Sequence, residues 1–178
     1  VESEDDLDAL RELLSGELLG TFSSTWQGDF DLRLRASADG VGWDVTDCSD
    51  DPDRREDELF TMIPRIRTST FDVRKVIRLL ADRDSFFEIG PLWGTDQVTG
   101  FVRFNGYPMG VIASDSRHEN GGALTADGCD KLIRHLDLCD LFHLPVLNLV
   151  DNPGFAVGLE HEMRGTIRKG GEWMVAFS

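Results

Sequence analysis

The segment TGFVRFNGYPMGVIAS, residues 99 to 114, constrains the fold of this 178-residue chain more than any other part of the sequence. Two runs of β-forming residues flank Asn105 and Gly106. An Asn-Gly pair readily adopts the two positive φ angles of a type I′ hairpin turn. The segment therefore predicts two antiparallel strands joined by a two-residue turn.

A helix and a third strand follow this hairpin, after a polar, Gly-containing loop at residues 115–125. Residues 126–145 have apolar residues at helical spacing and end on Pro145, which cannot continue a helix. VLNLVD, residues 146–151, is typical of a short, mainly apolar strand. The residues of this helix that we expect to face inward are Leu132, Ile133, Leu136, Cys139 and Leu141.

Two further helices complete the pattern from about residue 70 onward. Ser69 or Thr70 is the predicted N-cap of a helix, and LEHEMRGTIRKGGEWMVAF, residues 159–177, predicts one continuous helix. The order helix, strand, strand, helix, strand, helix indicates an α/β fold with helices packed on a sheet and a right-handed crossover. The apolar stripe of the first of these helices comprises Val73, Val76, Ile77 and Leu80.

The N-terminal third of the chain carries weaker structural signals and most of the negative charge. Leucines from Leu7 to Leu18 predict a short amphipathic helix, and residues 21 to 58 are typical of a linker with one hairpin. The formal net charge is −15, and residues 1 to 60 carry 18 Asp and Glu residues against 5 Arg residues. Because binding of phosphates requires a basic face, we expect no nucleic-acid partner and interpret the acidic residues as a solvated segment.

The sequence gives no sign of a membrane segment or of a metal site. It has no run of about 18 apolar residues, and its first residues are acidic where a signal peptide would be basic. We therefore expect no membrane association and a cytoplasmic or mitochondrial-matrix location. The cysteines Cys48, Cys129 and Cys139 are widely spaced and the four histidines follow no ligand pattern, so we expect reduced thiols and no metal.

Glycines around the last strand are the main candidates for a binding site. Gly154 follows Pro153 at the C-terminal end of a predicted parallel strand, which is where open α/β sheets place ligands. A glycine there lets the backbone approach a ligand, and the following helix N-terminus would favour an anionic oxygen. The alternative is a tight turn that binds nothing.

Three more residues are candidates, and each has two interpretations. Gly121 and Gly122 either allow close backbone approach or belong to a flexible loop. Arg164 could face a carboxylate or phosphate, or could pair with Glu160 on its own helix. The chain has no nucleophile motif and no phosphate-binding loop, so any catalysis depends on backbone donors and positioning.

Several motifs follow one another in a fixed order: DPDRREDELFTMIPR, SFFEIG, the hairpin segment, CDLFHLP, VDNPGFAVG and GTIRKGG. Together they resemble one known family, the carboxyltransferase (beta) subunit of biotin-dependent acyl-CoA carboxylases such as propionyl-CoA carboxylase. In this resemblance the first motif matches the interdomain segment of the family. The resemblance covers residues 50 to 178. One departure is Asn152, where the family usually has valine.

The resemblance implies a crotonase-like fold built from strand-strand-helix units. It implies that residues 1–58 form an acidic helix and linker, and that residues 59–178 form the first half of the C-terminal carboxyltransferase domain. The implied substrates are an acyl-CoA and carboxybiotin, with biotin carried by a biotin carboxylase or carboxyl carrier partner. Carried over by position, Gly154, Phe155 and Gly158 would lie on the carboxybiotin side of the cleft.

The family also implies homo-oligomers, dimers within a hexamer, and catalysis that the isolated chain would not support alone. Two other functions remain open from the sequence. One is an acyl-CoA decarboxylase of the same fold, and the other is a non-catalytic assembly module whose acidic residues 1 to 60 bind a partner.

Overall fold

A computed structural model describes residues 34–37, 40–51, 53–66 and 69–178. The helix predicted from Leu7 to Leu18 lies outside the described residues. The strands are β1 (Leu34–Ser37), β2 (Gly40–Trp43), β3 (Phe87–Ile89), β4 (Gln97–Phe104), β5 (Tyr107–Ser114) and β6 (Val146–Leu149). The helices are α1 (Leu59–Met62), α2 (Val73–Leu80), α3 (Ala126–Leu141), α4 (Leu159–Met163) and α5 (Thr166–Phe177).

A four-stranded sheet with the order β3-β4-β5-β6 forms the centre of the fold. Strands β4 and β5 are antiparallel, and β6 lies parallel to β5. The predicted hairpin is confirmed, since Asn105 and Gly106 have φ angles of 50° and 81°. The Asp82 carboxylate holds this turn by accepting hydrogen bonds from both N–H groups at 2.8 Å. Strands β1 and β2 pair separately, which confirms a hairpin within residues 21 to 58.

Helices cover both faces of the central sheet. Val73 and Ile77 of α2 pack against Val98, Val102 and Val111 on one face. On the other face, α3 packs against Ile112 with Leu132 and Leu136, and Trp173 of α5 lies against the same cluster. The alternation of Val111 and Ile112 between the two faces follows from the two-residue period of a strand. The layered α/β arrangement is therefore confirmed. The predicted order of elements is correct except that β3 lies between α2 and the hairpin and that two helices follow β6.

The start of α2 differs from the prediction. Its N-cap is Asp72, whose carboxylate accepts hydrogen bonds from the N–H groups of Arg74 and Lys75. Ser69 and Thr70 lie one turn too early to reach these donors, so the predicted cap is wrong. The predicted stripe is buried except for Leu80, which is 38% exposed at the last position of the helix.

The inward face of α3 also differs in part from the prediction. Leu132, Leu136 and Cys139 are buried as expected, but Leu141 is 57% exposed and Ile133 is half-buried. Lys131 and His135, each 4% exposed, also face inward although both are polar. The Lys131 ammonium donates to the carbonyl oxygen of Gln97 at 2.7 Å, and the His135 ring packs against Phe101 with centroids 5.2 Å apart.

The predicted C-terminal helix is two helices. Gly165 lies between α4 and α5 with a φ angle of 70°, a left-handed conformation that glycine adopts without steric cost. The prediction of one continuous helix over residues 159–177 is therefore wrong at Gly165. None of the helices in the described part of the chain is long and apolar enough to cross a membrane.

The cysteine thiols and one group of carboxylates bear on the expected absence of a metal site. Cys48, Cys129 and Cys139 are free cysteines, and the last two are buried. Among the described residues, Cys48, Asp50 and Asp82 are close enough to share an ion. The Asp82 carboxylate already binds the hairpin turn, and Asp50 accepts from the N–H of Arg83 at 2.7 Å. We therefore assign these oxygens to structural hydrogen bonds.

The burial of His135 predicts acid sensitivity. Burial lowers the pKa of His135 to about 4 in the folded protein, whereas an unfolded histidine has a pKa near 6.5. The stability is therefore complete above about pH 6.5 and declines as the pH falls towards about 4, because the unfolded state takes up the proton first. We expect this one group to account for up to about 3 kcal/mol of the loss. Urea denaturation of wild type and His135→Gln across this range measures it.

The matched control is His143→Gln, since His143 is exposed. The His135 variant should have lower stability than wild type near neutral pH but a shallower decline on acidification. The His143 variant keeps His135 and should therefore keep the decline on acidification. Identical pH slopes for wild type and the His135 variant would contradict the assignment.

Candidate functional site

The candidate site lies at one edge of the sheet, where β5 and β6 end. Because these strands are parallel, their C-terminal ends meet at the same edge. The loop after β5 covers residues 115–125, and the loop after β6 covers residues 150–158. Five of the six positions that the sequence singled out lie in these two loops, and Arg164 follows α4.

Backbone hydrogen bonds join the two loops. The N–H of Leu124 donates to the carbonyl oxygen of Gly154 at 2.9 Å, and the N–H of Ala156 donates to the carbonyl oxygen of Leu124 at 2.9 Å. Leu124 and Phe155 thus form a parallel bridge outside the main sheet. The loops behave as one unit, because a shift of either would break these bonds.

The Asn152 side chain is a second connection between the loops. Its Oδ1 accepts from the N–H of Gly154 at 2.6 Å. Its Nδ2 donates to Ser114 Oγ at 3.3 Å and to the carbonyl oxygen of Gly122 at 3.4 Å. One amide therefore contacts the end of β5, the glycine loop and the turn after β6.

A buried polar network lies below this amide. Gln97 is 2% exposed, and its Nε2 donates to the same Gly122 carbonyl oxygen at 3.2 Å. Ser114 Oγ donates to Gln97 Oε1 at 3.2 Å. Asp96, 1% exposed, accepts from Gln97 Nε2 and from both the N–H and the hydroxyl of Thr125. These buried polar groups have partners, which fixes their positions.

The turn at Gly154 differs in detail from the expectation. Gly154 has a φ angle of 127°, and a Cβ there would meet nothing within 4 Å. Glycine is therefore needed for the backbone conformation. Its N–H is occupied by Asn152, whereas the N–H of Phe155 has no partner among the described residues. Helix α4 begins at Leu159, with Gly158 as its N-cap, so the helix does not start directly at the turn.

The Phe155 side chain points away from the loop surface. Its ring packs into the cluster with Ile112 and Leu132 beneath the loops. A Cβ on Gly170 of α5 would overlap this ring. The backbone of Phe155 is thus at the site, while its ring holds α5 against the loops.

The remaining candidate residues are the Gly121-Gly122 pair and Arg164. Gly121 is exposed and Gly122 is buried, with φ angles of 67° and 81°. A Cβ at Gly122 would lie 3.0 Å from the carbonyl oxygen of Asp115, whereas one at Gly121 would meet nothing. The Arg164 side chain is 54% exposed and pairs with Glu160 at 3.2 Å and Asp127 at 3.3 Å. The ion pair that the spacing allowed is therefore present.

A small cavity of about 40 Å³ lies between the sheet and α5 beneath this edge. No charged side chain is among its lining residues. The indole N–H of Trp173 is buried without a hydrogen-bond partner in the described part of the chain. The lining residues are Gln97, Ile112, Ala113, Ser114, Leu124, Leu132, Asn148, Leu149, Val150, Asn152 and Trp173.

The electrostatics of the site favour neutral donors. Burial lowers the pKa of Lys131 to about 8, and its ammonium is bound to the Gln97 carbonyl oxygen below the site. Burial raises the pKa of Cys129 and of Cys139 to about 12, so neither is a thiolate at neutral pH. The chemistry available from these residues is hydrogen bonding by backbone and amide groups.

Sequence reasoning missed the residues that connect the loops. Asn152 stood out only as a departure from the family pattern. Gln97 and Ser114 were not singled out, although a polar residue at the end of an apolar strand is a usable signal. Asp96 gave no signal, since acidic residues are usually exposed. Buried polar residues of this kind are identified by their partners, which are distant in the sequence.

Comparison with known proteins gives a consistent result. The carboxyl transferase domain family matches residues 42–178. The putative propionyl-CoA carboxylase beta chain of Bacillus subtilis is 42% identical over 120 residues, which are 67% of this chain and 24% of that protein. The methylmalonyl-CoA decarboxylase subunit alpha of Veillonella parvula is 34% identical over 134 residues, 75% of this chain and 26% of that protein.

Among solved structures, transcarboxylase 12S has a TM-score of 0.71 and 30% identity, over 75% of this chain and 25% of that one. That structure is described as a hexamer with methylmalonyl-coenzyme A bound. The predicted crotonase-like fold of carboxyltransferases is confirmed. This chain spans about a quarter of the length of the relatives that it matches.

Two adjacent glycines of α5 allow a test of the packing beneath the loops. Gly170→Ala should destabilise the protein by about 1–3 kcal/mol, because the new methyl group would overlap the Phe155 ring. Gly171→Ala should stabilise it by about 0.5–1 kcal/mol, because that position is exposed and alanine favours the helix. Urea denaturation of the two variants measures both effects.

Both substitutions add one methyl group to neighbouring residues of the same helix, so each is the control for the other. Equal effects of the two substitutions would show that Phe155 does not pack against Gly170 as described.

Proposed function

Because this chain belongs to the carboxyl transferase domain family, we propose that it is part of an enzyme that carboxylates an acyl-CoA, with carboxybiotin as donor. In this reaction the bond between the carboxyl carbon and the ureido nitrogen of biotin would break, the α-carbon of the acyl-CoA would give its proton to that nitrogen, and the α-carbon would bond to the released carboxyl carbon. Negative charge appears on the thioester oxygen and on the carboxyl oxygens. Hydrogen-bond donors placed at those oxygens lower the barrier.

The observation that supports this proposal is the joined pair of loops at the β5–β6 edge. Gly154, Phe155 and Gly158 lie in one rigid unit with Gly121 and Gly122, held by the Leu124–Phe155 bridge. The exposed backbone of this unit supplies N–H groups, and Arg117, the arginine of the loop after β5, is paired with Asp72 and Asp115. We propose that Gly154, Phe155 and Gly158 form the wall on the carboxybiotin side.

The neutral N–H donors of the two loops suit the biotin ring. The ureido ring of biotin is neutral and hydrogen-bonding, and neutral amide and backbone groups are its natural partners. When bound, carboxybiotin supplies the carboxyl group. The residues of this chain orient it and exclude water, and the Phe155 ring stays in the core beneath.

The other components of the proposed enzyme lie beyond this chain. The match covers about a quarter of the relatives' length, so we propose that residues 59–178 form the first half of a C-terminal carboxyltransferase domain and that the chain alone is inactive. A biotin carboxylase or carboxyl carrier partner would bring biotin, and subunits would associate as dimers within a hexamer. Transcarboxylase 12S is described as a hexamer, which supports this last point. A cytoplasmic or mitochondrial-matrix location stays a prediction.

A second function is favoured by one relative. The Veillonella protein is a methylmalonyl-CoA decarboxylase subunit and is 34% identical to this chain. Decarboxylation passes through the same enolate in the opposite direction, so the same loops would serve it. The two activities differ in the direction of carboxyl transfer.

We expect the complete protein, purified with its partners, to carry a biotinylated polypeptide and to incorporate labelled bicarbonate into an acyl-CoA such as propionyl-CoA. The incorporation should require ATP and should be abolished by avidin, because avidin sequesters the biotin. Streptavidin blotting and acid-stable radioactivity in the acyl-CoA fraction are the measurements.

The control is release of carbon dioxide from methylmalonyl-CoA without ATP. Release that is faster than carboxylation would favour the decarboxylase. A native complex with no biotinylated polypeptide and no carboxyl transfer in either direction would reject the proposal and leave the assembly module. Turnover by the 178-residue chain alone would contradict its proposed inactivity.

A further inference from the structure

Asn152 forms an Asx turn that orients the backbone after β6. Its Oδ1 accepts from the N–H of the second residue along, Gly154, at 2.6 Å. The Nδ2 of the same side chain is held by Ser114 Oγ and by the carbonyl oxygen of Gly122. The side chain is half-buried and bound at both ends, so its orientation is fixed.

The next peptide unit is fixed from the other side. The carbonyl oxygen of Gly154 accepts from the N–H of Leu124 at 2.9 Å. The peptide bonds of the described residues are trans, so the C=O of Gly154 and the N–H of Phe155 point in opposite directions. The Phe155 N–H therefore points away from the Leu124 loop, and it has no partner among the described residues.

These two constraints act on adjacent peptide units. If the Asn152 bond were lost, the turn could rotate at Gly154, whose φ angle of 127° is open to glycine alone. The Gly154 N–H would then compete for any bound oxygen, and the Phe155 N–H would lose its fixed direction. A preorganised donor is worth more than a mobile one, since no reorganisation is required during reaction.

We propose that Asn152 is a positioning residue that aims the Phe155 N–H at an anionic oxygen of the bound carboxyl donor or acyl-CoA. This inference rests on the proposed carboxyl transfer. It assigns the donor role to Phe155 rather than to Gly154, because Asn152 already occupies the Gly154 N–H. Asn152 acts through the backbone and does not touch the substrate.

Two variants of the complete enzyme test this role. Asn152→Leu has a similar size and loses every hydrogen bond of the amide. Asn152→Ser retains a hydroxyl that can accept from the Gly154 N–H as an ST turn. For the leucine variant we expect kcat to fall about 10- to 100-fold with little change in the KM for acyl-CoA, and for the serine variant we expect most of this loss to be recovered.

A second measurement is independent of turnover. Amide hydrogen exchange at Gly154 should be slow in wild type, faster in the leucine variant and intermediate in the serine variant. Melting temperatures of the three proteins show whether they are folded. A purely structural role would lower the melting temperature of both variants without separating kcat from KM.

The possible results either support or overturn the positioning role of Asn152. A leucine variant with wild-type kcat, or fast exchange at Gly154 in wild type, overturns it while the proposed function stands. If the leucine variant fails to fold, the serine variant decides, since an unchanged Gly154 exchange rate together with a 100-fold lower kcat would also overturn it. A wild-type enzyme that transfers no carboxyl group in either direction overturns both the proposed function and this inference.

Discussion

The position of the candidate site depends on one buried carboxylate, that of Asp96. It is 1% exposed and accepts hydrogen bonds from the N–H and hydroxyl of Thr125 and from Gln97 Nε2. Thr125 in turn caps α3 through the N–H of Gly128, at 3.0 Å. A buried acid is costly without such partners, so the start of β4, the end of the glycine loop and the start of α3 must stay together. The carboxylate fixes the C-terminal end of the loop after β5, and the Asp96 carbonyl oxygen fixes its first residue by accepting from the N–H of Asp115 at 2.9 Å.

Local patterns in the sequence were sufficient for most of the fold. The Asn105-Gly106 turn, the inward residues Leu132 and Leu136 of α3, and the strand after Pro145 each follow from a periodicity or a turn rule that acts within a few residues. The crotonase-like fold came from the resemblance, because no local rule encodes how strand-strand-helix units assemble. Prediction from the sequence failed at positions whose structure depends on contacts with distant parts of the chain. The α2 cap, the inward Lys131 and the break at Gly165 depend on neighbours that a periodicity does not include.

The sequence predicted which loops contain the candidate site, but not what each residue of those loops does. A glycine in a sequence indicates either an unusual φ angle or a neighbouring group that leaves no room for a Cβ. The sequence alone does not distinguish these two reasons. Gly154 needs its φ angle, and a side chain there would meet nothing, whereas Gly170 is required because the Phe155 ring lies against it. The amide of Asn152, which decides which N–H remains free, has its partners in two other segments of the chain. Only the folded arrangement brings Ser114 and Gly122 to it.

Neutral donors fit a carboxyl transfer better than a cation would. In this reaction negative charge appears on one oxygen and must leave it again within the same turnover, so an interaction that holds the charged state too strongly would slow the following step. One cation below the loops, Lys131, is 4% exposed and is bound to the Gln97 carbonyl oxygen. Arg164 is paired with Glu160 and Asp127, and Arg117 with Asp72 and Asp115. With these three cations engaged, the proposed stabilisation of the transient charge rests on the backbone of the joined loops.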